Sequence, residues 1–164
     1  MKSFYIVLTF AIIFTACADK NAFDKFNMLK EQELSATSLQ SSKIKRANNI
    51  EGTISALYLN AVYPKRYNNN EYFYVYIFQK DKKEMFNPNK LDEIKLTLRL
   101  NDKLPIKVKE LSNDNQFSHL TSVRSEWQRY FLIAFQKEES NNLSLVLESG
   151  QSSSDLLVYQ KDEE

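Results

Sequence analysis

The sequence predicts a mostly β protein whose folded part is an antiparallel β-sandwich of about seven strands. Two observations support this fold class. From Ile50 onward apolar residues recur at every second position, which is the period of a half-buried strand. Clusters of Asn, Asp and Ser separate these runs, and no helical pattern lies between them. We therefore expect a β-sandwich domain over residues 50–161.

Seven segments carry the strand pattern, and they are 51–63, 71–80, 93–100, 104–111, 126–137, 141–149 and 154–161. Strict alternation in three of them predicts core-facing side chains, namely Ile94, Leu96, Leu98 and Leu100, then Ile106 and Val108, then Trp127, Phe131, Ile133 and Phe135. Asn101-Asp102-Lys103 predicts a tight turn, residues 117–120 a helical turn, and residues 161–164 a frayed, solvated tail. The architecture is Ig-like only in general form, because the cysteine pair around a Trp is absent.

The segment before Ile50 has a different composition. Residues 22–34 combine Phe23, Phe26 and Leu29 with Lys, Glu and Gln, which predicts one short amphipathic helix. The Ser-rich stretch that follows lacks periodicity. We interpret residues 17–49 as a tether, and docking of the three apolar side chains on a partner or on the domain is the alternative.

The first 16 residues predict a secretory signal peptide. Lys2 is the only charge before Asp19, and an apolar run from Phe4 to Phe14 separates the two. The run is shorter than the roughly 20 apolar residues that a membrane-spanning helix needs. We therefore expect cleavage near Cys17, the only cysteine of the chain.

Thr15-Ala16-Cys17 resembles the lipobox of bacterial lipoproteins, in which small residues precede an invariant cysteine. The resemblance implies that the Cys17 thiol becomes a diacylglyceryl thioether and that acyl chains anchor the mature protein in a membrane of the cell envelope. Ala18 in place of Asp favours the outer membrane. The alternative is an ordinary signal peptide, after which Cys17 could pair only with another molecule.

Composition excludes several classes of function. Basic and acidic residues number 22 and 21, so the sequence gives no electrostatic case for a nucleic-acid partner. With two glycines in the whole chain, neither of the glycine-rich phosphate-binding motifs is present. We expect no cofactor.

The candidate binding residues lie around the strand at residues 71–80. Its alternation places Tyr72, Tyr74, Tyr76 and Phe78 on one face, which is typical of a central strand buried on both sides. The functional interpretation is an exposed aromatic strip extended by the preceding loop, in which rings, cations and amides mix as at recognition surfaces. The candidate binding residues are Tyr63, Lys65, Arg66, Tyr67 and Tyr72.

The remaining groups of polar residues in the sequence predict no catalytic residue and no metal ligand. His119 is the only histidine, and no nucleophile elbow surrounds a serine near it. The oxygen-rich stretch 113–115 and Asp155 lack the spacing of an EF-hand loop and are equally typical of turns. Lys80, Lys82 and Lys83 could join Lys65 and Arg66 in a phosphate-binding patch, although a solvated loop is the simpler interpretation.

These observations predict a non-enzymatic envelope lipoprotein that binds an envelope protein as an accessory subunit. A surface adhesin or glycan-binding lipoprotein is the first alternative, and it would use the tyrosines at 63, 67 and 72. An envelope hydrolase is the disfavoured alternative, because it would need converging carboxylates or His119 in a cleft.

Overall fold

The computed structural model describes residues 30–81, 83–89, 96–121 and 125–161. Within them lie two helices, α1 (Lys30–Ser38) and α2 (Leu59–Val62), and a 3-10 turn at Ser118–Leu120. The strands are β1 (Leu39–Arg46), β2 (Asn49–Tyr58), β3 (Glu71–Gln79), β4 (Thr97–Leu100), β5 (Lys107–Leu111), β6 (Gln128–Phe135), β7 (Asn142–Ser149), β8 (Ser152–Ser154) and β9 (Leu157–Gln160).

All nine of these strands belong to one antiparallel sheet, in the order β4-β7-β8-β1-β2-β3-β6-β5, and β9 also pairs with β7. The sheet curls into a half-barrel, with β8 and β1 at the bend. The prediction of a mostly β, antiparallel fold is confirmed. The Ig-like sandwich stays a prediction, because the strands form one continuous sheet.

The concave side of the half-barrel encloses the main core. Aliphatic and aromatic side chains from both halves of the sheet meet there, as illustrated by Ile54, Phe73, Phe131, Leu98, Leu145 and Leu157. Tyr159 of β9 ties the halves together, since its hydroxyl donates to the Ala56 carbonyl at 2.8 Å and its ring lies 5.3 Å from that of Phe73. Each fully buried side chain of this size contributes roughly 1.5–3 kcal/mol.

The convex side is covered by α1, α2 and the 3-10 turn, which pack over β2, β3 and β6. Tyr74 and Tyr130 are buried beneath this cover with their rings stacked 6.2 Å apart, and Phe117 lies 5.1 Å from Tyr74. β3 is therefore a central strand with apolar side chains packed on both of its faces. This agrees with the first of the two interpretations of its tyrosines, a strand buried on both sides.

One strand lies where the sequence analysis expected an unstructured tether. β1 pairs with β2 along its whole length and with β8 through Ile44 and Lys45, so the sheet begins before Ile50. The sequence of β1 shows no alternation of apolar and polar residues, because only Ile44 is buried. The other positions, at the bend of the sheet, are mostly Ser and Lys. α1 (Lys30–Ser38) overlaps the predicted helix at 22–34 only at its last five positions, and the part of that prediction that includes Phe23, Phe26 and Leu29 lies outside the described residues.

Most predicted core positions are buried, but two are wrong. Ile106 is 48% exposed and Trp127 is 73% exposed. Trp127 precedes the first paired residue of β6, so no neighbouring strand covers its side chain. Ile106 precedes β5, which is an edge strand, and has a neighbour on one side only, where its backbone N–H donates to the Ala134 carbonyl at 2.8 Å. Ile94 lies outside the described residues.

The predicted tight turn between β4 and β5 is confirmed. Asn101 and Asp102 both adopt the left-handed region, with φ of 45° and 63°. Asn and Asp tolerate this region better than other non-glycine residues. Leu100 and Lys103 exchange two backbone hydrogen bonds across the turn, at 3.0 and 2.9 Å. The predicted helical turn at 117–120 is also confirmed, as the 3-10 turn at Ser118–Leu120.

The described parts of the chain contain no helix with both the length and the apolar character needed to cross a membrane.

Candidate functional site

One end of the half-barrel opens into a cleft of about 1030 Å³, which we call the mouth cleft. The ends of five strands meet there: β2 and β6 and β9 finish at this end, and β3 and β7 begin at it. Its lining residues are Tyr58, Asn60, Ala61, Pro64, Tyr67, Asn68, Glu71, Lys137, Glu138, Glu139, Asn141 and Lys161. The mouth of a curled sheet is a common position for a binding site.

Glu71 forms the floor of the mouth cleft and is only 1% exposed. Its carboxylate accepts hydrogen bonds from the Tyr58 hydroxyl at 2.5 Å and from the Glu138 backbone N–H at 2.9 Å. The Lys161 ammonium lies 2.6 Å from the same carboxylate. Burial by itself raises the pKa of Glu71, but the donors from Lys161, Tyr58 and Glu138 outweigh it and hold the pKa below its usual value.

Lys161 therefore fastens the end of the described chain to the floor of the cleft. Its backbone N–H donates to the Asn141 carbonyl at 2.9 Å, and its ammonium also donates to the Glu138 carbonyl. Glu138 is itself buried, and Lys103 lies 2.9 Å from its carboxylate. The prediction of a frayed tail is wrong for Lys161, while residues 162–164 lie outside the described part.

The predicted binding residues lie on and beside the loop between α2 and β3, and we call Tyr63, Lys65, Arg66, Tyr67 and Tyr72 the tyrosine surface. The rings of Tyr67 and Tyr72 are 4.9 Å apart, and that of Tyr63 is 6.3 Å from Tyr67. The Arg66 guanidinium lies over the Tyr67 ring at 5.7 Å. Lys65 and Arg66 are exposed, whereas Tyr67 is buried and holds the loop in place.

The tyrosine surface and the mouth cleft are neighbours. Pro64 and Tyr67 line the cleft, and Asn60 connects its floor to Tyr72 by accepting the Tyr72 backbone N–H at 2.9 Å. Tyr63 joins this loop to α2, because its backbone N–H donates to the Leu59 carbonyl at 2.8 Å and its carbonyl accepts from the backbone N–H groups of Arg66 and Tyr67.

His119 borders the tyrosine surface on the side of α1. The Tyr63 hydroxyl is hydrogen-bonded to His119 Nε2 at 2.8 Å, and Gln32 of α1 donates to the His119 carbonyl at 3.3 Å. Ser35 of α1 donates to the Leu120 carbonyl at 3.1 Å. These bonds join α1, the 3-10 turn and the tyrosine loop into one surface.

The titratable groups of this region are suited to hold and orient a ligand. Because its pKa is lowered, Glu71 stays ionised near neutral pH. Burial raises the pKa of Tyr63 and of Tyr67, so both hydroxyls remain protonated and can donate hydrogen bonds. Within the described residues no group of three His, Cys, Asp or Glu side chains is placed to hold a metal ion.

The proposed phosphate patch is not assembled. Lys65 and Arg66 lie at the mouth, before the first residue of β3, whereas Lys80 and Lys83 follow its last residue. β3 has nine residues and a length of roughly 30 Å, which separates the two groups. Lys83 instead donates to the Ser149 hydroxyl at 2.9 Å, and Lys82 lies outside the described residues.

The residues of the cleft floor were missed by the sequence analysis. Glu71 and Lys161 are 90 positions apart, and nothing local in the sequence links them. The available signal was a charged residue at each end of an apolar strand, Glu71 before β3 and Lys161 after β9. Such residues are usually solvated, and only the meeting of these two strand ends brings the charges together.

Comparison with protein-family models, with curated proteins and with solved structures finds no match to this chain.

Proposed function

We propose that this protein is a non-enzymatic binding subunit of the bacterial cell envelope. In this proposal a lipid on Cys17 anchors it to the outer membrane, and the tyrosine surface with the mouth cleft engages an envelope protein. The two halves of the curled sheet pack across one core, which supports the sandwich-like scaffold predicted from the sequence.

One observation carries the proposal. The residues chosen from the sequence as a recognition surface converge on one loop, and that loop also forms a wall of the mouth cleft. Exposed cations, half-buried tyrosines and an adjacent concave surface are the features of a protein-binding site.

The chemistry of the cleft floor supports binding over turnover. The Glu71 carboxylate already accepts from Tyr58, Lys161 and the Glu138 backbone. A general acid or base must exchange a proton near the working pH, and a carboxyl with a lowered pKa is poorly suited to that role near neutral pH. The floor is better suited to fixing the shape of the cleft.

The test is photo-crosslinking in intact cells with the full-length chain. A photoreactive amino acid replaces Asn68, which lines the cleft, and the control replaces Gln151, which is exposed in the turn between β7 and β8. We expect one discrete adduct with an envelope protein from position 68 and none from position 151. The adduct should also disappear when Tyr63 and Tyr72 are replaced by Ala.

An adduct formed equally at both positions, or one that survives these replacements, would contradict the proposed site. Absence of the wild-type protein from the membrane fraction would contradict lipid anchoring through Cys17. The two results are independent, because anchoring is read from fractionation of wild type and Cys17→Ser, and partner binding from the adduct.

A glycan ligand is the second candidate, and the amide side chains at the opening of the mouth cleft favour it. All lining residues except Ala61 and Pro64 carry a polar group, and the Asn68 and Asn141 side chains stand at the opening. Amides and tyrosines are suitable partners for sugar hydroxyls and ring faces. Binding of purified envelope glycan that falls on Asn68→Ala but not on Gln151→Ala would favour this candidate over a protein partner.

A further inference from the structure

We infer that the Lys65–Arg66 edge of the tyrosine surface faces the lipid bilayer, with both cations against anionic headgroups, while the tyrosines beside the mouth cleft stay available to the protein partner. This inference rests on the lipid anchor of the proposed function. It deepens that function because it identifies which face of the domain is turned to the membrane.

The first step is where the chain enters the domain. α1 begins at Lys30, and its first turns lie against the tyrosine surface through the bond from Gln32 to the His119 carbonyl and the bond between His119 and Tyr63. The anchor is thus joined to the domain on the side that carries Tyr63.

The second step is the reach of the connection. The 13 peptide units between Cys17 and Lys30 cannot span more than about 45 Å even when fully extended. The far end of the half-barrel, where β7 ends at Ser149, lies a further strand length of roughly 25 Å from the mouth. Because the extended connection is longer than this distance, it allows either end to approach the bilayer, and the position of α1 beside Tyr63 is what favours the tyrosine surface.

The third step is charge. Lys65 and Arg66 are exposed and form no ion pair with any residue that the structure describes. Lys43, Lys107 and Lys109 are likewise exposed without an ion pair among the described residues, but Lys65 and Arg66 are adjacent and lie beside Tyr63, on the side where α1 begins. Glu31 contributes one negative charge near Tyr63, so the two cations leave this surface net positive. Basic residues close to a bilayer surface are attracted by anionic lipids.

The consequence concerns the kind of partner that the mouth cleft can reach. The cleft adjoins the surface that faces the bilayer, so its ligand must present its contact region close to the membrane. The juxtamembrane part of an integral envelope protein satisfies this requirement.

The test uses the full-length lipidated protein in vesicles of phosphatidylethanolamine and phosphatidylglycerol that carry a headgroup quencher. Cys17 is the only cysteine and is blocked by its thioether, so one introduced cysteine can be labelled alone. A fluorophore is placed at Asn69→Cys in the tyrosine loop, and the matched control is Gln151→Cys at the far end; both positions are exposed. We expect several-fold stronger quenching at position 69.

Equal quenching at the two positions, or stronger quenching at 151, would overturn the inference. Arg66→Glu in the Asn69→Cys protein should reduce the quenching several-fold, because each basic residue contributes about fivefold to attraction by an anionic surface. Unchanged quenching would overturn the headgroup contact. Release of the protein from the vesicles would overturn the anchor itself, and it is distinguishable because neither label is then quenched.

Discussion

Lys161→Met is the substitution that tests the floor of the mouth cleft most directly. It removes the ammonium that lies 2.6 Å from Glu71 and leaves a carboxylate that is 1% exposed. The gross attraction across that distance is about 6 kcal/mol at an effective dielectric constant of about 20. Part of this is offset by desolvation, and breaking a buried pair on one side typically costs 3–5 kcal/mol.

We expect Lys161→Met to lower the free energy of unfolding by about 3 kcal/mol at pH 7, near the lower end of that range. Lys161 is itself partly exposed, and Tyr58 and the Glu138 backbone still donate to Glu71 in the variant. Urea denaturation followed by circular dichroism measures the loss. Glu71→Gln combined with Lys161→Met should recover much of it, because an unpaired charge is no longer buried.

The loss should depend on pH with a defined sign. The folded-state pKa of Glu71 lies below its unfolded value of about 4.3, so its ionised form stabilises the wild type above that pH and this contribution is lost as the pH falls further. Without Lys161 the folded pKa rises, so the difference between variant and wild type should shrink as the pH approaches 4.

Lys45→Met is the matched control, because its pair with Asp155 is exposed and the variant should unfold like the wild type. The reasoning would be refuted if Lys161→Met cost no more than this control, or if its cost did not change between pH 7 and pH 4.

Three further predictions concern packing, each measured by urea denaturation. Gly52→Ala should destabilise the protein by more than 1 kcal/mol, since a Cβ there would lie 2.2 Å from the Phe78 carbonyl oxygen; a variant as stable as the wild type would contradict this contact. Leu145→Ala should cost about 2–5 kcal/mol, because Leu145 is fully buried between the halves of the sheet, and a cost below 1 kcal/mol would show that the halves do not share a core. Ser35→Ala should cost about 1 kcal/mol through loss of the bond to the Leu120 carbonyl, whereas Thr37→Ala on the exposed side of α1 should be nearly neutral; similar costs would argue against docking of α1.

The alternating strands of the chain were predictable because burial on one face leaves a period of two in the sequence. Leu96, Leu98 and Leu100 follow this rule in the structure, whereas β3 is buried on both faces. β1 was not predictable by the same rule, because most of its side chains are polar and only Ile44 is buried.

Only one part of the candidate site was predictable from the sequence. The tyrosine surface was predictable as a group because its members are close in sequence, although their role in binding stays a prediction. The cleft floor depends on contacts between β3 and the end of β9, which only the closed topology brings about.

The position of β1 in the sheet also constrains how the molecule can fold. β1 ends at Arg46, yet one of its neighbours is β8, which begins at Ser152 and so leaves a ribosome or a secretion channel more than 100 residues later. Pairings of such long range are formed slowly, since loop closure precedes the contacts that stabilise it. The bend of the sheet can therefore close only after nearly the whole chain has emerged. During that interval the polar edge of β1, rich in Ser and Lys, is protected against pairing with the wrong strand.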